Sequence, residues 1–464
     1  LEAGTSRRGV ETLVDFVSDG MRRTRRLAEL PSGATEPVVL SREITNGFGE
    51  TIRAGTPDTL GGMIYERRSY DARGLLVRAG TDGLAPVLYE YDAFGEETKR
   101  VVALAEEPTP TNSRVTETAT RFETFEDGNV FRVVSSTVYD AAGTALVSSV
   151  ATLVSESATL ESKVVSTDVR GNATTRLTEY GAPGIRVLKT QIPTATNLAQ
   201  ETVSDGFVVS RIDHAGTQTT FARQFNAGAN AGIVLTTTDG RGNATVVEQN
   251  VLGWVLKSTD ALGNATTTAY DLAHGKPTCV TDALGKTHRR AYDLHGNVVA
   301  EFGTGALPAV FAYDAADRKI SQKLFRAESA SAETDPRSRT DGDETLWFRD
   351  AATGLTLTKR FPDETETNYA YDALNRLATT TLAREVSPGV RLKLTRAYAP
   401  LTGELVSLTS NDGTVSETCA YDRLGHLVSA SDASGATSYQ YDEYGELSEE
   451  TKSGGLFVPT KTLT

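Results

Sequence analysis

The sequence contains few of the residues that cross-link a protein or anchor a large core. Its 464 residues include two Cys, two Trp and two Met. Two cysteines exclude a scaffold stapled by several disulfides, and neither Cys279 nor Cys419 has a CxxC partner or a nearby His. We interpret both as small strand residues. The sequence has no run of about 18 apolar residues, which excludes a membrane-spanning helix.

Positive charge is also scarce. The chain has 47 basic and 61 acidic residues, a net charge of -14 and a pI near 5.0. An acidic surface is repelled by nucleic acid and by anionic membranes, so we expect neither as a partner. The chain begins at Leu1 and shows no signal peptide. We therefore expect it to be a segment of a larger protein.

What the sequence does contain is a short repeat. Acidic or amide residues recur in steps of 11, 10, 11, 11 and 11 residues, at Asp239, Asn250, Asp260, Asp271, Asp282 and Asp293. The residue three places later is usually Gly. An Asp that opens a type I turn accepts hydrogen bonds from the N–H groups ahead of it, and Gly at the fourth position supplies the positive φ that starts the returning strand. The repeat therefore predicts a chain reversal at every step.

Two turns replace the Gly in an informative way. Asp314 is followed three places later by Asp317, and Asp372 by Asn375. Asp and Asn are the side chains that best tolerate a left-handed backbone. The pattern predicts a positive φ at Asn375 and at the turn glycines, for example Gly263, Gly285, Gly425 and Gly445.

A turn of about four residues leaves roughly seven residues per step, the length of an ordinary strand. Thr-rich stretches such as 264–270 show no helical apolar stripe. The sequence thus predicts an all-β fold, a long antiparallel meander with 10–11 residues per strand plus turn. Roughly 35 strands would exceed the ~10 that an open twisted sheet holds before it curls. We expect a single-layer strip coiled into a spiral or hollow shell.

The residue before the turn Asp is patterned too. It is Tyr in many turns and Thr or Ser in others, and the two types alternate over Thr259, Tyr270, Thr281 and Tyr292. Successive turns of a meander lie at opposite edges of the sheet. Tyr-Asp turns should therefore line one edge and Thr-Asp turns the other, with the Tyr rings packed on neighbouring hairpins and their hydroxyls bonded to polar partners.

We assign a structural role, rather than a catalytic one, to the residues of these turns. They are Tyr70, Asp71, Gly74, Tyr91, Asp92, Gly95, Asp239, Gly242, Asp260, Gly263, Tyr270, Asp271, Asp282, Gly285, Tyr292, Asp293, Gly296, Tyr313, Asp314, Tyr371, Asp372, Asn375, Tyr421, Asp422, Gly425, Tyr441, Asp442 and Gly445.

Three segments, 371–377, 421–427 and 441–447, carry the pattern Tyr-Asp-x-x-(Gly/Asn)-x-Leu. They resemble the Rhs or YD repeat, and the resemblance is clearest over 230–320 and 365–450. This family includes the B and C subunits of insecticidal Tc toxins, bacterial polymorphic toxins and animal teneurins. The resemblance implies a β-strip that spirals into a hollow shell, which in the toxin members holds a C-terminal effector.

The resemblance favours one function and leaves a second open. We expect a shell segment that encapsulates a cargo polypeptide, a toxin effector, within a larger secreted or cell-surface bacterial protein. The alternative is an extracellular adhesion or carbohydrate-binding surface, for which glycans would be partners. The family's Pro- and Gly-rich C-terminal core is absent up to Thr464, so we expect neither self-cleavage nor toxic activity within these residues.

The regularity of the repeat changes along the chain. Residues 1–65 are irregular and leave strand and plug open as alternatives. A repeat strip follows over 66–326, degenerate at 101–230 and regular at 231–320. Residues 327–345 form a polar, acidic insertion that we expect to be exposed. The strip then continues over 346–464.

Little in the sequence points to chemistry. No P-loop, nucleophile elbow or metalloprotease His pair occurs, and we expect no enzyme activity, metal or cofactor. A metal site between His274 and His295 is disfavoured, and the acidic run 341–344 lacks EF-hand spacing. Three Asn-Ala-Thr triplets match the glycosylation pattern, but each follows a turn Gly and is first a repeat unit; they begin at Asn172, Asn243 and Asn264.

Overall fold

The computed structural model describes residues 10–27, 38–125, 128–155, 160–227, 231–326, 333–454 and 460–462. Over these residues the chain forms 37 strands of one sheet, and the helical structure consists of one 3-10 turn at Pro336–Ser338. Each strand pairs antiparallel with the next one along the chain. The predicted all-β meander is confirmed.

The strands follow one another with short connections. The first twelve are β1 Val10–Val17, β2 Gly20–Leu27, β3 Val39–Thr45, β4 Thr51–Pro57, β5 Met63–Tyr70, β6 Leu76–Thr81, β7 Val87–Tyr91, β8 Glu97–Val102, β9 Arg114–Thr124, β10 Val130–Tyr139, β11 Ala145–Leu153 and β12 Leu160–Thr167. The next twelve are β13 Ala173–Tyr180, β14 Ile185–Gln191, β15 Ala199–Ser204, β16 Phe207–Ile212, β17 Gln218–Asn226, β18 Gly232–Thr238, β19 Ala244–Asn250, β20 Val255–Thr259, β21 Ala265–Asp271, β22 Lys276–Thr281, β23 Thr287–Tyr292 and β24 Val298–Phe302.

The remaining strands are β25 Ala309–Tyr313, β26 Lys319–Leu324, β27 Asp343–Arg349, β28 Thr356–Arg360, β29 Glu366–Tyr371, β30 Leu377–Ser387, β31 Val390–Tyr398, β32 Leu405–Ser410, β33 Ser416–Tyr421, β34 Leu427–Asp432, β35 Gly435–Tyr441, β36 Leu447–Ser453 and β37 Thr460–Thr462.

Two stretches differ from the rest of the strip. The described part of residues 1–65 forms β1 to β4 and the start of β5. In the insertion, residues 327–332 lie outside the described residues, Pro336 is buried, and β27 begins at Asp343. Most of the other described residues of the insertion are exposed, while the turn at Pro336–Ser338 packs against β24 and β25 and strand structure resumes at Asp343.

The sheet is a thin wall with a small core. The main buried cluster is Phe131, Val133 and Ala151 on the long strands β10 and β11. The chain exposes 27425 Å² of accessible surface, against about 17,000 Å² for a compact globule of this mass. Apolar burial is local, so the strip depends on its hydrogen-bond ladders and cross-strand pairs.

The strip coils back upon itself. Asn375, in the turn after β29, bonds to residues 57–59 in the turn after β4. These strands are 25 positions apart, and at about 4.8 Å per strand one circuit measures roughly 120 Å, a diameter of about 40 Å. We call one such circuit a course. The contact shows that a later course lies edge to edge on the first.

Candidate functional site

The candidate site is the pair of turn edges along the strip, because they carry the repeated polar residues. In one repeat, the Asp260 Oδ1 accepts N–H groups from Leu262 at 2.9 Å and Asn264 at 2.8 Å. The Asn264 side-chain amide donates to Asp260 Oδ2 at 2.8 Å. The Asn264 amide and these backbone donors lower the pKa of Asp260. The first Asn of the Asn-Ala-Thr triplet thus completes a turn cap.

The backbone of the turns is left-handed at the predicted positions. φ is 86° at Gly263, 77° at Gly285, 94° at Gly425 and 82° at Gly445. Asn375 has a φ of 58°. These predictions are confirmed. Asp317, the other replacement, has a φ of 59°.

The two turn types separate onto the two edges. Turns that follow odd-numbered strands form what we call the odd edge, and turns that follow even-numbered strands form the even edge. The odd edge carries the Tyr-Asp turns that begin at Tyr70, Tyr91, Tyr270, Tyr292, Tyr313, Tyr371, Tyr421 and Tyr441. The even edge carries the Thr-Asp and Ser-Asp turns, whose carboxylates are Asp82, Asp168, Asp239, Asp260, Asp282 and Asp432.

Tyr139 is the exception, since it precedes the turn after β10 on the even edge. Its hydroxyl donates to Glu117 Oε2 at 2.7 Å. Three strands, β8, β9 and β10, lie between the Asp92 and Asp140 turns, and this odd number moves the second turn to the other edge. The degenerate spacing of 101–230 conceals this change in the sequence.

The odd-edge tyrosines join neighbouring hairpins through their hydroxyls. Most of them donate to a backbone carbonyl of the preceding hairpin: Tyr91 to Leu76 at 2.8 Å, and Tyr292 to Pro277 at 2.6 Å. The same bond recurs at 2.8–2.9 Å for Tyr70, Tyr270, Tyr313, Tyr371, Tyr398 and Tyr441. The predicted polar partner of the hydroxyl is thus a main-chain oxygen.

The accepting carbonyl lies at a β-bulge that the sequence did not reveal. The register shifts between Ala269 and Tyr270, which pairs with Pro277; Pro277 is the residue whose carbonyl accepts Tyr292. Bulges disrupt the ladder locally and free main-chain groups. The related signal in the sequence is the recurrence of Tyr-Asp at every second turn. That recurrence does not indicate that a register shift lies beside the carbonyl that accepts the tyrosine hydroxyl.

Side chains of one course bond to main-chain atoms of the other along what we call the seam. There, even-edge turns after β4 to β12 meet odd-edge turns after β29 to β35. Arg423 donates to the carbonyls of Ser113, at 3.0 Å, and Asp140. Arg114 donates to the carbonyl of Arg423 at 2.7 Å and to Glu404 at 2.9 Å. These residues were not predicted, because their partners are about 300 positions away.

One end of the seam is an acidic and aromatic turn held by an arginine. Arg170, in the turn after β12, pairs with Glu446 at 2.5 Å and Asp442 at 3.4 Å. Its guanidinium lies 4.6 Å from the centre of the Tyr444 ring. Charge and cation–π attraction thus act together at this contact.

The residues considered for chemistry have structural partners. His274 bonds to Asp271, which raises the pKa of His274, and His295 bonds to Asp317 at 2.7 Å. Asp341 pairs with Arg339. Both cysteines are free thiols. Across the described ranges, no three His, Cys, Asp or Glu side chains converge as a metal site would require, and no helix there has the length and apolarity to cross a membrane.

Comparison with known proteins supports the resemblance seen in the sequence. The RHS Repeat family model matches residues 421–456, and no curated protein matches the chain. The fold is similar to the crystal structure of TcdB2-TccC3-Cdc42, with a TM-score of 0.53 and 14% identity over 96% of this chain. That of TcdB2-TccC3-TEV has a TM-score of 0.53 and 13% identity over 99%.

The chain spans 27% and 28% of the lengths of those two proteins. At this identity the likeness is one of fold. The resemblance to Rhs/YD-repeat proteins is confirmed, with a repeat of that family at the C-terminal end of the strip.

Proposed function

We propose that this chain is a structural wall segment of a larger Rhs/YD-repeat protein, and that the wall encapsulates a cargo polypeptide of the toxin-effector class. The observation that carries the proposal is the seam, because a strip whose later course rests on its first course encloses space. The turn carboxylates cap turns and the tyrosines join hairpins, so the repeated residues serve the wall and not a reaction.

Imaging of the full-length protein that contains this chain tests the proposal. Cryo-electron microscopy should show a hollow wall with separate density inside it, and the interior segment should resist protease until the wall is denatured. The 464-residue chain alone is the control, whose interior should contain solvent only. A solid particle, or a protein whose segments are all cleaved at the same rate, would contradict encapsulation.

The adhesion alternative receives less support from the geometry. In that alternative, rows of same-edge tyrosines and turn carboxylates would bind sugars by stacking and hydrogen bonding. Odd-edge hydroxyls such as that of Tyr292 already donate to backbone carbonyls, and a turn carboxylate such as Asp260 already accepts backbone N–H groups. A secreted or cell-surface location belongs to the same proposal. Secretion of the full-length protein from its natural host, followed by fractionation, tests that location.

A further inference from the structure

The even edge repeats, further along the strip, the turn that the seam uses at Arg170. Residues 168–174 read Asp-Val-Arg-Gly-Asn-Ala-Thr and residues 239–245 read Asp-Gly-Arg-Gly-Asn-Ala-Thr. Both turns follow even-numbered strands, β12 and β18. In both, the Asn amide caps the Asp, at 3.0 Å for Asn172 and 2.9 Å for Asn243. Arg241 therefore occupies the position that Arg170 occupies in the seam.

The two arginines differ in what covers them. Arg170 is held by Asp442, Tyr444 and Glu446 of the later course. Arg241 is exposed, and in the part of the chain that the structure describes its guanidinium influences Asp239 of its own turn but has no ion pair or ring contact beyond it. The acidic and aromatic turn at 442–446 is the last odd-edge turn described, and it reaches only the turn after β12.

The neighbouring even-edge turns are uncovered as well, and they are apolar at their tips. Leu262 is 89% exposed and Leu284 is 82% exposed. Under the seam, by contrast, Leu84 of the even edge is half-buried and lies beside Gly403 of the later course. The even-edge turns after β18, β20 and β22 thus present an arginine and two exposed leucines. The seam uses the same residue types, at Arg170 and Leu84, to contact the later course.

We propose that Arg241, with Leu262 and Leu284, is a docking surface for an acidic and aromatic hairpin turn of the type Tyr-Asp-x-Tyr-Gly-Glu, supplied by a further course of YD-repeat strip. The surface continues an interface that the chain already forms with itself. Charge selects the occupant, because Arg241 needs the carboxylates that Arg170 receives from Asp442 and Glu446. The inference depends on the seam alone and would hold for a wall without cargo.

Photo-crosslinking to the full 464-residue chain tests this surface. The probe is a disulfide-cyclised peptide of residues 435–453 with benzophenone in place of the exposed Glu443. We expect products at 239–243, reduced about tenfold in R241A, where the ion pair and ring contact are lost. R73A is the matched control, since Arg73 has the same turn position on the odd edge, and it should leave the yield unchanged. Unaltered thermal unfolding shows that R241A is folded.

A charge swap separates this docking from general attraction. R241E should lose the wild-type peptide and bind a peptide carrying Arg at position 446. Products spread over both edges, products confined to 169–171 by exchange at the existing seam, or no products at millimolar peptide would each overturn the proposal. None of these results would bear on whether the interior holds a cargo.

Discussion

Single residues act here through the backbone of the turn. Asp-x-x-Gly places a carboxylate where two N–H groups converge and a glycine where φ is positive. Both requirements are local, so they appear in the sequence wherever the repeat is regular. The exceptions obey the same rule, because Asn375 and Asp317 adopt the left-handed conformation that these residue types tolerate.

Gly263→Ala tests the positive φ. A Cβ there meets nothing within 4 Å, so the cost is conformational, and we expect about 1–2 kcal/mol of lost local stability. Hydrogen exchange of the flanking amides in β20 and β21 measures it. Gly47→Ala is the matched control, since Gly47 also has open space but no positive φ. Equal effects of the two substitutions would refute the explanation.

Acid should loosen the Asp turns. In the folded chain the N–H of Leu75 lowers the pKa of Asp71, and the Asn243 amide lowers the pKa of Asp239. A lowered folded pKa means that the stabilisation is complete above about pH 4 and is lost as pH falls through the folded pKa. Protection factors at these two turns should therefore drop as the pH falls below about 4.

The Asn250 turn is a natural control for the acid experiment. Its amide oxygen accepts the same two N–H groups, from Leu252 and Trp254 at 3.0 Å, but it does not titrate. Protection there should be the least affected. A loss equal to that of the Asp turns would assign the acid effect to global unfolding instead.

At the scale of the element, the hairpin is the unit and tyrosine connects the units. An odd-edge tyrosine such as Tyr292 reaches back to the bulge of the preceding hairpin on the same edge. A strip of hairpins contacts mainly its neighbours, so such links add along the chain. The bulges that accept these hydroxyls and the tyrosines themselves lie on the odd edge. Tyr-Asp turns therefore alternate with Thr-Asp turns along the chain.

Tyr292→Phe isolates this link. It removes the hydroxyl that donates to Pro277 and should cost about 1 kcal/mol, seen as faster exchange of amides in β22 to β24. Tyr369→Phe is the matched control, because no hydroxyl bond joins Tyr369 to another described residue. If both variants exchange alike, the hydroxyl does not hold the hairpins together.

At the scale of the whole molecule, the seam holds the two courses together. Arginine side chains of one course donate to main-chain carbonyls of the other, as Arg423 does to Ser113 and Asp140. Such bonds form only where a donor turn on one edge faces an acceptor turn on the other edge. The even edge of the first course and the odd edge of the later one supply them in register over four successive contacts, near residues 59, 85, 114 and 170.

Arg423→Ala should open the seam locally. We expect protection of the amides at 113–115 and 140–144 to fall about tenfold, because a charged donor to the carbonyls of Ser113 and Asp140 is lost. Arg121→Ala is the control: Arg121 pairs within its own sheet region, with Glu123 and Ser135, and its loss should leave the seam intact. Unchanged protection in R423A would show that the courses adhere by other contacts.

The sequence by itself determined the turns, the strands between them, their antiparallel order and the assignment of Tyr-Asp turns to one edge. Each of these follows from interactions within about a dozen residues. Only the tertiary structure decided the bulge that receives each tyrosine, the odd number of strands that moves Tyr139 to the other edge, and the pairing of Arg423 and Arg170 with their partners. The edge of Tyr139 and the seam partners depend on how many strands lie between the turns concerned. The number of strands in one circuit is set by the twist accumulated over many strands and by the long connections. No pattern within a dozen residues of sequence contains that information.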